Sequence, residues 1–475
     1  MPHGRRASAF DAPPGALISR PLDARVVLGR SLLDDAFLRD PYPTYRALRE
    51  AGPLVWSDEF FGGAWLVTRH ADVELVLRDA RFSAQRTGGW LMRPADAEHP
   101  DRRAGRNALK GFQRLFSRAM IFLDAPDHAR VRQAMSAAFR PADLQRLMPR
   151  IEQAVAERLA AIDARAPFDF VRALARPLPA QVIGLLMGLD DDESDSQADV
   201  VAWSDELADF IGAPAPSHVQ ALRAQTALLA MARYFDGLLA RRRAALADGA
   251  EPRDDVIGRL LQAERDGQIR GSAELLAQCV MLLFAGHETT RHLLANGLRT
   301  LLTHPEQWRL LQRDRALLPG AVRELLRFDS PVQYTGRRVA TDLELHGQTL
   351  HRGDLVVALI GAANRDPARH ERPDELDITR RPAPPLAFGQ GPHVCIGAAL
   401  TLMEAQTVFG QVLDHWPDLL PSPTTEPRWI GNALYRGLHE LPLQCSGLPA
   451  STPISAPTLP PSLTALTPDP ACKLS

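Results

Sequence analysis

Between Leu275 and Ala285 the only polar residue is Gln278, so the element formed here is apolar on every side and belongs in the interior. The spacing predicts a long helix over residues 272–303. At AGHETTRHLL the character changes, and Gly286, Glu288, Thr289 and Thr290 fall in the middle of that buried helix. A glycine there is unfavourable by about 1 kcal/mol against alanine. Threonine hydroxyls can bond back to the preceding turn and bend a helix. One reading is a kinked helix whose acid pairs with Arg291 or His287. The other is a local opening in which an acid and an adjacent alcohol handle protons.

Elsewhere the periodicity places a capped first helix from Asp40 to the Gly52-Pro53 stop and a short hairpin over 54–69 around a Gly-Gly turn. A turn-rich basic stretch over 84–120 contains Trp90, Leu91 and Met92 and reads as a lid or a solvated loop. Helical patterns dominate from about 126 to 328, and strand-like alternation returns over 336–361. A Pro-rich passage, a helix over 397–414 and two strand-like pieces near 428 and 440 follow. Residues 1–35 read as an irregular amino-terminal arm, 36–445 as the folded unit, and 446–475 as a disordered tail rich in Pro, Ser and Thr.

Composition narrows the class. Apolar residues make up 45% of 475, enough for a large core, although length alone argues for two or three domains. A net charge of -2 gives no general attraction to nucleic acid or anionic lipid. No stretch is long and apolar enough to read as a transmembrane helix, and a cytoplasmic location fits. Four cysteines, at 279, 395, 445 and 472, are too sparse for a disulfide framework or a paired-cysteine zinc site.

Cys395 stands apart. In LAFGQGPHVCIGAALTLMEAQ it sits among Gly389, Gly391 and Gly397 at the mouth of a predicted helix. Glycines let backbone approach a flat ligand, and a helix amino terminus favours thiolate over thiol. Thiolate is the form that binds iron and promotes O–O cleavage. A lone cysteine is more often a small buried hydrophobe, but the spacing F-x-x-G-x-x-x-C-x-G, with His393 two residues ahead, argues otherwise.

On these residues the chain resembles the cytochrome P-450 family of soluble bacterial type. The resemblance implies a mainly α fold with small β elements in a single domain of that type, holding haem b between the long distal helix and the proximal Cys-loop helix. It implies Cys395 as the axial metal ligand, Phe388 packed beside the sulfur, Gly391 and Gly397 shaping the loop, and His393 on a haem propionate. AGHETT matches the family's distal motif: Thr289 and Glu288 become the catalytic alcohol and acid, with Ala285 and Gly286 over the haem. Glu324 and Arg327 in RELLRFDSP share a helix face and, by resemblance, form the buried pair that locks the haem loop. His128 and Arg132, one turn apart, match the propionate-binding helix. Arg337 matches the other propionate clamp, with Arg338 the neighbouring candidate.

The likeness spans roughly residues 35–445. It departs from the common pattern at Thr401-Leu402, where relatives often carry Ala-Arg. Val332, Gln333, Tyr334, Ala433 and Leu434, together with the 86–95 loop and the 205–220 region, are the candidates for substrate contact. The expected substrate is a largely hydrophobic small molecule, free or carrier-bound, of secondary metabolism. A ferredoxin-type donor and its NAD(P)H reductase supply electrons to a monomer, and Arg130 and Arg140 are the candidate basic docking face. Three activities compete: a monooxygenase, a haem-thiolate enzyme using peroxide or carrying out coupling or dehydration, and a haem-binding sensor without turnover. Glu288 and Thr289 together favour the first.

Overall fold

The computed structural model describes residues 21–86, 110–137, 139–163, 166–189, 195–213, 216–381 and 384–445. The 446–475 tail and most of the 86–95 loop therefore lie outside the described residues. The apolar run becomes the helix Ser272–Leu302, with most of its side chains buried on all sides. Around it pack Pro177–Met187, Asp195–Gly212, His218–Ala247, Leu318–Phe328 and Ala398–His415, and their inward faces form the main core. One domain results, against the expectation from length alone.

The strand-like segments assemble beside this core. A five-stranded sheet runs in the order Val55–Ser57, Ala64–Val67, Leu355–Ala358, Thr335–Val339 and Phe82–Ser83. Its pairings are antiparallel except between Ala64–Val67 and Leu355–Ala358, where Trp65 faces Val356 in parallel register. The first hairpin turns at Gly62 and Gly63, with φ of 73° and 142°. A Cβ on Gly63 would lie 2.7 Å from the Trp56 ring, so only glycine fits. A smaller core fills the space between the sheet and the helix Tyr42–Ala51.

Several boundaries move. The first helix begins at Tyr42, whose amide donates to the Asp40 carboxylate at 3.2 Å, and ends before Gly52. Within the expected irregular arm, Ala24–Leu28 forms a short helix capped by Asp23 and ending at Gly29 with φ of 65°. Phe168–Asp169, inside the stretch read as wholly helical, pairs with Pro442–Cys445, which also pairs with Leu419–Pro421. Two-residue strands carry too little alternation to be legible.

One buried ion pair ties the proximal side together. Arg327 donates to both oxygens of Glu324 at 2.7 and 2.8 Å, with both side chains 3% exposed. Arg327 also donates to the carbonyls of Asn364, Pro373 and Glu375, while Glu324 accepts from the Asp377 amide and from Arg380. The Asn364 side chain extends the chain of bonds, donating to Ser330 and accepting from the Leu386 amide, where the cysteine loop begins. This is no surface pair worth a few tenths of a kcal/mol. Replacing Arg327 with Met would strand a buried carboxylate, and we expect a stability loss of about 3–5 kcal/mol by denaturant titration. Replacing both partners with apolar residues should cost less.

Candidate functional site

The cysteine loop is built by two short 3-10 turns, Leu386–Phe388 and Gly391–His393, ahead of the helix Ala398–His415. Gly389 and Gly391 both adopt φ of 71°, and a Cβ on Gly391 would press to 3.0 Å on Arg78 and Leu77. These two need glycine. Gly397 does not need it for its backbone, with φ of -87° at the helix start. The Cys395 amide donates to the Phe388 carbonyl at 2.8 Å, closing the loop, and the half-buried Phe388 packs on the main core.

The backbone amides of Gly397 and Ala398 hydrogen-bond the Cys395 sulfur, and Arg132 adds positive potential. Burial outweighs these three and leaves the thiol pKa above its ordinary value. The helix terminus alone therefore does not make the thiolate that the sequence suggested. A cation bonded to sulfur would supply the difference. Cys395 is open to solvent-sized contact although it lies deep in the protein's volume, a combination that places it on the wall of an internal slot.

The facing wall is the distal helix. Ala285 is exposed and Gly286 and Thr289 are half-buried, while their helical neighbours Phe284, His287, Glu288 and Thr290 are buried. Ala285 and Thr289 are four apart and so share a face. The Thr289 hydroxyl donates to the Ala285 carbonyl at 3.2 Å, and Thr290 donates to that of Gly286 at 3.3 Å. Helical assignment nonetheless continues unbroken to Leu302. Gly286 has a packing reason: a Cβ there would meet Ile183 at 2.9 Å. The two walls touch one turn beyond the slot, where Thr290 and Thr401 hydroxyls lie 3.5 Å apart.

Glu288 points elsewhere. It is 3% exposed, with Arg291 at 3.5 Å, His292 at 3.0 Å and His287 at 3.6 Å from its oxygens. Burial alone would raise its pKa, but Arg291 and the two imidazoles prevail and hold it well below the usual carboxylate range. Arg291 bonds Asp205 at 2.6 Å, and Asp205 also pairs with Arg176. The sequence held Glu288 and Arg291 as a possible pair, and it placed Asp205 only within the 205–220 candidate substrate region, not in this network.

At one side of the slot the charge is one-sided. His128 is buried with its ring 4.0 Å from that of His393, and its Nε2 has no partner. Arg132 donates to the Val394 carbonyl at 2.8 Å. Strand alternation settles the arginine pair: Arg337 points inward and is 5% exposed, while Arg338 turns out to bond Gly353. Arg86, which the sequence placed only in the 86–95 candidate substrate loop, joins them over the Phe122 ring at 4.7 Å. Among the described residues no carboxylate pairs with Arg86, Arg132 or Arg337. Asp124 is the acid whose charge reaches Arg86 and Arg337, and it is occupied by Ser83 and Ala84. Burial, then His128 and the three arginines, drive the His393 pKa down to about 3. Burial likewise pulls Arg337 down to about 10. A flat ligand with a pendant anionic edge and a thiophilic metal fits this donor set.

A family model described as cytochrome P450 matches residues 95–434. The chain belongs to the cytochrome P450 family. Cytochrome P450 107B1 of Saccharopolyspora erythraea is 38% identical over 86% of this chain and 96% of its own. The monooxygenase PikC of Streptomyces venezuelae is 35% identical over 88% of this chain and 94% of its own. P450BioI, solved with a fatty-acid-ligated acyl carrier protein, superposes with a TM-score of 0.76 at 30% identity, covering 86% of this chain and all of that one. P450 members carry haem b on a cysteine thiolate, and this chain is an oxygenase-type oxidoreductase. Among the described residues no helix is long and apolar enough to cross a membrane.

The proposed substrate contacts fare unevenly. Gln333 is 2% exposed, donates to the Ser330 carbonyl at 2.7 Å and packs against Gly361. Tyr334 is 3% exposed and meets Phe60 edge-on at 5.1 Å. Tyr334 belongs, with Ala433, to the smaller core, and Gln333 is buried beside it; among the described residues the Tyr334 hydroxyl and Gln333 Oε1 have no hydrogen-bond partner. Leu434 is half-buried between that core and the main one, and half-buried Val332 packs on the main core and on a third cluster beside the sheet. The two arginines of the candidate docking face both have acidic neighbours. Glu274 and Asp127 hold Arg130, and Arg140 pairs with Asp143 at 2.9 Å.

The imidazole shift has a measurable sign. With its folded pKa depressed, His393 binds fewer protons than in the unfolded chain, so acid favours unfolding. For haem-free protein, stability should fall from pH 6.5 down to about 3, by up to about 1.4 kcal/mol per pH unit for this residue. We expect His393→Gln to flatten that limb in urea titrations across pH, and an unchanged slope would refute the assignment.

Proposed function

We propose that the protein is a haem-thiolate monooxygenase in which Cys395 Sγ is the proximal iron ligand. The observation that carries this reading is the slot itself, with an open sulfur on one wall, an open Ala285–Thr289 face opposite, and uncompensated cations at its edge. Arg132, Arg337, His128 and His393, joined by Arg86, would hold the two propionates and relieve their own mutual repulsion. Bound haem supplies the iron at which dioxygen is activated for insertion of one atom into a C–H or C=C bond.

The chain's own groups then manage protons and water. Thr289 has one hydroxyl donor and two acceptor positions. It gives its proton to Ala285 and keeps acceptor capacity toward the slot, ready to take a proton from behind and pass one forward. Glu288 next to it is kept ionised by Arg291. Asp205, a third exposed, connects that arginine to solvent, so Glu288 would first have to leave Arg291 and take up a proton from water entering there before turning to Thr289 to deliver it. A neutral route through His287 is less suited, because its Nε2 is engaged with the Arg176 carbonyl at 3.0 Å.

The substrate we infer is a largely hydrophobic product of secondary metabolism, in keeping with relatives named PikC and 6-deoxyerythronolide B hydroxylase. A carrier-bound form is supported by the likeness to P450BioI, itself solved with an acyl carrier protein. Electrons are assigned to a separate ferredoxin-type donor and its NAD(P)H reductase, and the protein to the cytoplasm as a monomer.

Two substitutions test the assignment. Cys395→Ser should abolish the red-shifted Soret band of the ferrous CO complex; a retained band would defeat the proposal. Thr289→Ala should keep that band and haem content. Oxygenated product should fall on the order of 10²-fold, with reducing equivalents diverted to peroxide, as read by product formed per NAD(P)H consumed.

A further inference from the structure

Behind the Glu324–Arg327 pair lies a recess that the oxygenase reading leaves without a role. Arg323, Arg327, Arg380, Arg381, His370 and Glu324 line it, with Gly320 at its rim. Four guanidinium groups therefore face one carboxylate, which is itself taken up by Arg327 and by Arg380 at 3.2 Å. Arg380 directs its other donors to the carbonyls of Glu371, Arg372 and Glu375. Arg323, half-buried, and Arg381, exposed, have no acidic partner among the described residues. His370 is 6% exposed, and its Nε2 is a buried ring nitrogen with no hydrogen-bond partner. Burial, then Arg327 and other nearby cations, lowers its pKa to about 4, so the ring is neutral and offers one N–H.

Arg327 and Arg380 already have partners, so the unbalanced charge lies on Arg323 and Arg381 at the mouth, where a small anion would relieve their mutual repulsion. The recess measures about 10 Å³, which is on the scale of one water molecule. We propose that the recess is a binding site for one small inorganic anion such as chloride, held by Arg323, Arg381, Arg380 and the His370 ring. The bound anion neutralises the outer arginines and leaves Glu324 to Arg327 alone. It thereby steadies the Asn364–Leu386 connection and the cysteine loop beyond it. The site sits outside the slot, and its occupancy is independent of haem chemistry.

Chloride itself is the probe, applied to purified haem-loaded protein. Thermal unfolding in sodium chloride should show a saturable rise in midpoint over sodium gluconate at equal ionic strength. Arg323→Gln with Arg381→Gln, both remote from the slot, should abolish that difference while leaving the ferrous CO spectrum unchanged. Bromide-soaked crystals of the unaltered protein should show anomalous density in hydrogen-bonding range of His370 Nε2. Equal midpoints in the two salts, or an empty recess in bromide, would overturn the proposal. So would an arginine double variant that keeps its chloride response but loses electron-transfer rate from a ferredoxin, because the recess would then serve an acidic side chain of the donor.

Discussion

An arginine buried with a carboxylate is tolerable only when its remaining N–H groups are satisfied, because each unpaired donor in the interior carries a desolvation penalty. Arg327 meets that condition by reaching carbonyls at Asn364, Pro373 and Glu375, three points on a segment with little regular structure. That segment would otherwise be free to drift, since it has few strands or helices to fix it. The requirement runs in both directions: the segment satisfies the arginine, and the arginine fixes the segment. Asn364 carries the restraint onward to Leu386, so the position of the cysteine loop follows from hydrogen-bond satisfaction at a pair several turns away.

The two sides of the slot use opposite electrostatic strategies. On the distal helix Glu288 and Arg291 each have a counter-charge, in a chain running Glu288, Arg291, Asp205 and Arg176 from the interior to the surface. The slot edge has cations and almost no acids. A balanced network holds its shape unaided, whereas an unbalanced one is complete only with its ligand. Binding of an anionic cofactor edge therefore contributes to folding as well as to chemistry, through the repulsion that it removes.

The readable part of this fold was what a single segment can declare. The apolar run 275–285, the hairpin at Gly62-Gly63, the cysteine loop and the helix after it all announced themselves by periodicity or by glycine. Family resemblance, added to a one-turn spacing that is uninformative alone, brought out His128 with Arg132 and Glu324 with Arg327. Residues whose meaning depends on distant segments stayed hidden. Arg86 and Asp124 acquire their roles only when the sheet edge meets the helix Asp127–Ser136, and Asp205 only when two helices pack. Gln333 and Tyr334 misled for the same reason: a polar residue near a turn reads as available until long-range packing covers it. Arg337 and Arg338 were separable only by strand register, where neighbouring residues face opposite sides.

The close seating of Ile183 against Gly286 has a consequence for how such a protein can diversify. At 286 an added carbon presses on the Ile183 side chain, which must shift to admit it, while at 285 an exposed methyl already stands clear. Adjacent positions thus differ sharply in mutational freedom. Enlarging or trimming the chamber above the sulfur is open to natural variation at 285 and restrained at 286, so new substrate preferences can arise at 285 without disturbing the scaffold.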